Sequence, residues 1–312
     1  MTASGEAPTL PARRAEVAAR VVGRARELDL VLAAVTAGRD LLLEGPPGTS
    51  KSTILRAITE SWGIPLLFVE GNAELTPAKL IGHHNPARVL REDYSADNFV
   101  PGPLVAAMER GGFLYIEELN RAPEDTLNAL LTAMAEREIE VPRVGRFRAA
   151  PSFRVVASMN PFDNVGTTRI SASFYDRLCR LAVDYQTAPE DEEIVALRTG
   201  SDDAELVADA VAITRATREH PDVRQGSSVR GAIDIVAVAA SLAELRGAAG
   251  DGDRAALVLD AALVALSARV ALEETSDRTP EDVIRELCEN HFVLRGRRAA
   301  PGSSRLDLPN PI

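Results

Sequence analysis

Gly45-Pro46-Pro47-Gly48-Thr49-Ser50-Lys51-Ser52 follows the apolar run Leu41-Leu42-Leu43 and leads into Thr53-Ile54-Leu55-Arg56-Ala57-Ile58, and this stretch decides the fold. The pattern predicts a strand, a Gly-rich turn and the first turns of a helix. Such a turn converges backbone N–H groups on one point, and the helix dipole adds positive potential there, so it cradles a phosphate. On this reading Pro47, Gly48, Thr49, Ser50, Lys51, Ser52 and Thr53 bind a nucleoside triphosphate. Lys51 would reach the β- and γ-phosphates, and the Ser52 hydroxyl would ligate Mg²⁺. Ser50 stands where the G-x-x-x-x-G-K-[ST] pattern asks for glycine. A small residue is expected to fit there with a negative φ.

Composition sets the frame. The 312 residues suffice for one substantial α/β domain and a smaller partner, and the hydrophobic fraction of 46% supports an ordinary core. A formal charge of −11 argues against a general nucleic-acid binder, which would show a basic face. The main basic cluster, Arg143, Arg146 and Arg148, reads as a local ridge or a subunit contact. Lys51 and Lys79 are the two lysines in a chain otherwise dominated by arginine, so a lysine where a phosphate loop requires one carries weight. Cys179 and Cys288 lack C-x-x-C partners and read as small core residues in a reducing compartment. The N-terminus has no apolar segment of signal-peptide length, and residues 255–270 are interrupted by Asp260 and Arg269. A cytoplasmic protein without membrane contact is expected.

Residues 1–20 are expected to be a flexible arm. Residues 21–187 read as the α/β core. Continuous apolar runs at 66–69, 113–116, 153–157 and 178–183 suit strands buried on both faces, alternating with helices in a parallel sheet. From 188 to 292 the pattern is helical throughout and predicts a small all-helical lid. The tail, 293–312, is expected to be disordered. The adjacent His83-His84 invite a metal reading, but neighbouring side chains do not converge on one ion, so loop histidines are expected.

Two further motifs carry chemistry. Phe113-Leu114-Tyr115-Ile116-Glu117-Glu118 ends a buried strand on paired carboxylates. The first, Glu117, would hold Mg²⁺ through its hydration water; the second, Glu118, would polarise the attacking water. Asp is usual at the first position, and Glu is one methylene longer. In Val155-Val156-Ala157-Ser158-Met159-Asn160-Pro161 an amide stands where a strand runs out, placed to orient the lytic water.

GPPGTSKS, FLYIEELNRAPEDTLNALLTAM, VVASMNP and FYDRLCR, in this order, resemble the MoxR branch of the AAA+ ATPases over residues 20–292. Glu117-Glu118-Leu119-Asn120-Arg121-Ala122-Pro123 is the most specific piece. The resemblance implies ATP as nucleotide, with Val21, Val22 and Gly23 flanking the adenine. It implies Glu118 as catalytic glutamate and Asn160 as first sensor. Arg177 of Asp176-Arg177 would be the arginine reaching a neighbour's γ-phosphate, although Arg169 and Arg180 fall in the same region. Arg230, in Ser227-Ser228-Val229-Arg230-Gly231, matches the second sensor, with Val229 where the family usually has proline. Also implied are a helix-2 insert at about 82–102, a second hairpin at about 138–153 and a homo-oligomeric ring, expected to be a hexamer. Remodelling of a client protein, with a von Willebrand factor A domain protein as a candidate partner, completes what the resemblance implies. Two rivals stand beside it. Ser50 and Glu117 motivate a nucleotide-gated switch with little hydrolysis. A nucleic-acid-linked motor or GTPase shares the turn after the two acids but conflicts with the acidic balance.

Overall fold

The computed structural model describes residues 9–92, 94–161, 167–247 and 251–299. It divides into two compact units, Met1–Gln186 and Thr187–Ile312. In the first unit, helix α1 (Leu10–Ala18) begins at Thr9, whose side chain caps it, and buries Val17. Part of the expected arm is therefore ordered, because one apolar side chain anchors it; residues 1–8 lie outside the described residues. Helix α2 (Ala25–Thr36) buries Leu28, Val31, Leu32 and Val35 at helical spacing.

Strand β1 (Asp40–Glu44) is buried along its whole length and runs through the phosphate loop into α3 (Lys51–Trp62). Strand β2 (Leu66–Glu70) follows, then α4 (Pro77–Ile81). Two short strands, β3 (Gly82–His84) and β4 (Phe99–Pro101), pair antiparallel around α5 (Pro86–Glu92), so the chain leaves one helix and returns in α6 (Pro103–Arg110). His84 thus lies on a strand rather than in a loop, with its ring edge-on to Tyr94 and Phe99.

Strand β5 (Phe113–Glu117) leads through a short 3-10 turn into α7 (Glu124–Glu136), whose first turn carries Glu124 and Asp125 against the helix dipole. A second hairpin, β6 (Glu138–Val141) and β7 (Gly145–Arg148), precedes β8 (Arg154–Met159). Glu138 pairs with both Arg146 and Arg148, which offsets part of the basic ridge. Helix α8 (Ala172–Tyr175) and strand β9 (Leu178–Ala182) end the unit.

The main sheet has strand order β2-β5-β8-β1-β9, all parallel. Alternation along each strand sends residues to opposite faces. Leu41, Leu43, Phe113, Tyr115 and Val156 pack with α1, α2 and α3. Leu42, Leu114, Ile116, Val155 and Ala157 pack with α6 and α7. Both faces are covered, which explains the unbroken apolar runs. Cys179 corrects one expectation: it is exposed on β9, an edge strand, whereas Cys288 is buried and its thiol is pushed up to about 12 by burial.

The second unit holds α9 (Ala188–Thr199), α10 (Ala204–Ala216), α11 (Val229–Arg246), α12 (Asp251–Leu266) and α13 (Pro280–Ala299) around one core. It is not purely helical, since β10 (Val223–Gln225) and β11 (Ala271–Leu272) form a small antiparallel pair. Helix α13 also runs to Ala299, past the point where a disordered tail was expected; residues 300–312 lie outside the described residues. Among the described residues, no helix is long and apolar enough to cross a membrane.

Candidate nucleotide site

The loop after β1 is held by its neighbours before any ligand is considered. Gly45 donates its N–H to the Met159 carbonyl at 3.1 Å. A Cβ on Gly45 would meet the Val183 carbonyl oxygen at 1.9 Å, so only glycine fits there. Gly48 has φ +75°, and Thr49 donates its hydroxyl to the Pro46 carbonyl at 2.9 Å. Lys51, 9% exposed, directs Nζ to the carbonyls of Gly45 at 2.9 Å and Pro46 at 2.7 Å. The ammonium is therefore anchored inside the loop, where phosphate oxygens would compete for it.

Ser50 overturns one expectation. Its φ is +64°, in the left-handed region, rather than negative. That conformation costs a non-glycine residue about 1 kcal/mol. The hydroxyl offsets part of this by donating to Gln186 Oε1 at 3.2 Å, while Gln186 Nε2 donates to the Val22 carbonyl at 2.7 Å. One buried amide thus links the phosphate loop to the Val21–Gly23 segment. Val21 is buried, Gly23 is exposed with φ +65°, and Pro47 and Thr53 are exposed.

The carboxylate pair lies beside the loop because of strand order. Strand β8 separates β1 from β5, with Glu44 opposite Met159 and Ile116 opposite Ala157. Asn160, which follows β8, therefore emerges between the phosphate loop and the two acids. Ser52 donates its hydroxyl to Glu117 Oε1 at 3.0 Å, joining the two motifs directly. Tyr115 joins the same cluster, its hydroxyl 3.1 Å from Ser52 Oγ and 2.9 Å from Ser158 Oγ. Burial, with the Glu117 charge adding to it, pushes the Tyr115 phenol up to about 12, so it remains a neutral hydrogen-bonding group.

Glu118 has φ +54° and pairs with Arg121 at 3.1 Å. Gly71, just after β2, donates its N–H to the Glu117 carbonyl at 2.7 Å, and a Cβ there would meet the Glu118 carbonyl oxygen at 2.2 Å. The chain bend that presents Glu118 is thus braced by a glycine. Asn120 donates to the Asn160 carbonyl at 3.4 Å.

A magnesium ion fits this donor set. No group of three or more His, Cys, Asp or Glu residues suited to a metal occurs among the described residues. Mg²⁺ needs no such cage, because it keeps several waters and shares phosphate oxygens with one or two protein ligands. Ser52 and Glu117 supply that hydroxyl and carboxylate.

The arginines separate. Arg177 is exposed and donates to the Ser173 carbonyl at 2.8 Å and hydroxyl at 3.0 Å, within its own turn. Arg180 pairs with the buried Glu44. Arg169 lines a groove beside them. Arg230 is exposed in the first turn of α11, in the second unit. Tyr115, Gln186, Glu44 and Gly71 were not read as site residues from the sequence. A tyrosine in an aliphatic strand facing a serine on a parallel strand is the one signal that pointed to any of them.

The AAA domain of the dynein-related subfamily matches residues 40–178, the segment from β1 to the start of β9. Gas vesicle ATPase GvpN of Ancylobacter aquaticus is 27% identical over 66% of this chain and 62% of its own length. Protein MoxR of Paracoccus denitrificans is 34% identical over 56% of this chain and 50% of its own. The chain thus spans half to about three fifths of these two relatives. A solved RuvB variant of Thermotoga maritima aligns with a TM-score of 0.52 at 17% identity, covering 78% of this chain and 70% of that one, a likeness of fold alone. The five-stranded parallel order, the loop joined to the acid pair through Ser52 and Glu117, and the AAA domain match over residues 40–178 agree on a P-loop NTPase core, and the chain is similar to MoxR and to the gas vesicle ATPase GvpN.

Proposed function

We propose that the protein is a Mg²⁺-dependent ATP hydrolase working as a ring, with a hexamer expected, to remodel, assemble or activate a client protein. The observation that carries this reading is the 3.0 Å hydrogen bond from Ser52 to Glu117, which brings the phosphate loop and the acid strand together at one point. In use, Lys51 exchanges loop carbonyls for phosphate oxygens. Ser52 and Glu117 would hold the metal, Glu117 through water, and the metal would supply charge neutralisation at the phosphates. Glu118 orients and polarises the attacking water, and Asn160 holds that water from the other side. Arg177, exposed just past α8, serves the neighbouring subunit, and Arg230 is assigned as the second sensor by the resemblance alone. The chaperone-like role, and a von Willebrand factor A domain partner, come by analogy with MoxR-type proteins. So does the reading of the β3–β4 insert as the element facing the client.

Lys51→Ala tests the core of the proposal, because it removes the charge that meets the phosphates in the ground state. Loss of nucleotide binding, measured by calorimetry, is the expected result; retained affinity would sink the phosphate-loop assignment. Proteins co-purifying with a Glu118→Gln trap then identify the client.

One observation favours a second reading, a nucleotide-gated switch with slow turnover. Glu118 is engaged by Arg121 at 3.1 Å, a contact that competes with an attacking water for the carboxylate oxygens. Tight ATP binding with turnover near background, raised by Arg121→Ala, would select the switch.

A further inference from the structure

Glu44 is the last residue of β1 and immediately precedes the phosphate loop. It is 4% exposed, and a carboxylate this deep requires partners. Arg180 supplies the strongest, hydrogen-bonding through Nε at 2.5 Å and pairing through Nη2. The Tyr175 hydroxyl donates to the other oxygen at 3.4 Å. These partners flank the Asp176-Arg177 turn: Tyr175 closes α8 just before it, and Arg180 lies on β9 just after it. The Glu44 hydrogen bond and charge keep Arg180 even more firmly protonated than an ordinary arginine. Arg177, in contrast, is bonded to Ser173 and leaves its exposed end available.

We propose that Glu44 is a positioning residue for the trans-acting arginine, tying the Asp176-Arg177 turn through Arg180 and Tyr175 to the strand that ends in the subunit's own phosphate loop. This rests on the shared-site reading of the preceding section. It removes Arg180 from the candidates for the arginine that reaches the neighbour and makes it the tether. It also gives a ring a physical route for coupling. A shift at the end of β1, when nucleotide enters or leaves one site, moves the arginine offered to the next.

Glu44→Gln keeps the shape and removes the charge. The expected result is nucleotide affinity within about twofold of wild type, because no phosphate contact is lost. The rate constant kcat is expected to fall on the order of 10-fold with KM little changed, the scale of a misplaced catalytic group. Tyr175→Phe removes the weaker contact and should lose less. The decisive readout is mixing. Lys51→Ala subunits have no working site but an intact arginine, so adding them to Glu44→Gln subunits should restore turnover at the Glu44→Gln sites. The control pair is Lys51→Ala with Arg177→Ala. Rescue in both mixtures supports the tether. Rescue in the control alone overturns it and leaves the shared site standing. Rescue in neither overturns both readings. Should Glu44→Gln not fold, Arg180→Lys, which keeps the charge but loses the fork, goes through the same mixing with the same outcomes.

Discussion

Lys51, Ser52, Tyr115, Glu117 and Ser158 are bonded to one another or to the loop itself across two parallel strands and a helix, and most of them are buried. Arg177 sits at the exposed end of a four-residue helix and bonds to Ser173 of the same turn. The first set is finished within one chain, because each polar group already has the partner that its burial demands. The second meets no such demand, and on the proposed reading its guanidinium serves a ligand outside the chain. The contrast teaches that the two groups are built to different standards of completeness, so the phosphate binding proposed for one and the transition-state stabilisation proposed for the other can be broken separately.

The sharpest break is Arg177→Ala. An arginine supplied by a neighbour contributes on the order of 10³-fold in rate, so turnover should fall by that scale while nucleotide affinity holds. Wild-type specific activity should also rise with protein concentration as subunits assemble. Activity independent of concentration, with an unaltered rate in the variant, would place the whole site in one chain. Next comes Glu118→Gln, on the bend braced by Gly71. Losing a water-orienting base should cut turnover roughly 10²-fold and leave ATP bound. Equal hydrolysis by variant and wild type would remove Glu118 from the mechanism.

How much of this was legible beforehand depended on sequence distance. The phosphate loop, the acid pair and the core strands announce themselves within a few residues, since local spacing alone imposes the turn, the buried strand and the helix. The α1 helix escaped because one buried Val17, rather than a full apolar stripe, holds it. The contacts that were missed span the chain. Ser52 meets Tyr115 across 63 residues, Glu44 meets Arg180 across 136, and Gln186 meets Val22 across 164. No periodicity records such pairs. Ser50 was misjudged for the same reason: its strain is visible locally, but the amide that accepts its hydroxyl is 136 residues away.

Tyr115 tests the completed half of the site by pH. Its phenol lies at about 12 in the folded chain against 10.0 for an ordinary tyrosine, with burial the main cause. A folded value above the unfolded one means the contribution is fully present below pH 10 and is lost as pH rises towards 12. That window is worth about 2 to 3 kcal/mol, at 1.36 kcal/mol per pH unit. Denaturant unfolding from pH 9 to 11.5 should therefore show a steeper loss of stability in wild type than in Tyr115→Phe. Parallel curves would show that the hydroxyl is not sequestered beside Ser52.

The smallest effect probes the link between the loop and the Val21–Gly23 segment. Ser50→Gly relieves a left-handed serine, a gain of about 1 kcal/mol. It also deletes the hydrogen bond to Gln186, a loss of about 1 kcal/mol, and loosens the unfolded chain, a further few tenths. The single substitution should thus be nearly neutral in urea unfolding. In a Gln186→Ala background the hydrogen bond is already gone, so relief of the backbone remains as the main term and Ser50→Gly should stabilise. A double-mutant cycle should return a coupling of about 1 kcal/mol between positions 50 and 186. A coupling near zero would mean that the hydroxyl contributes nothing through Gln186. Ser50 would then be a tolerated departure from glycine, without a part in joining the phosphate loop to Val22.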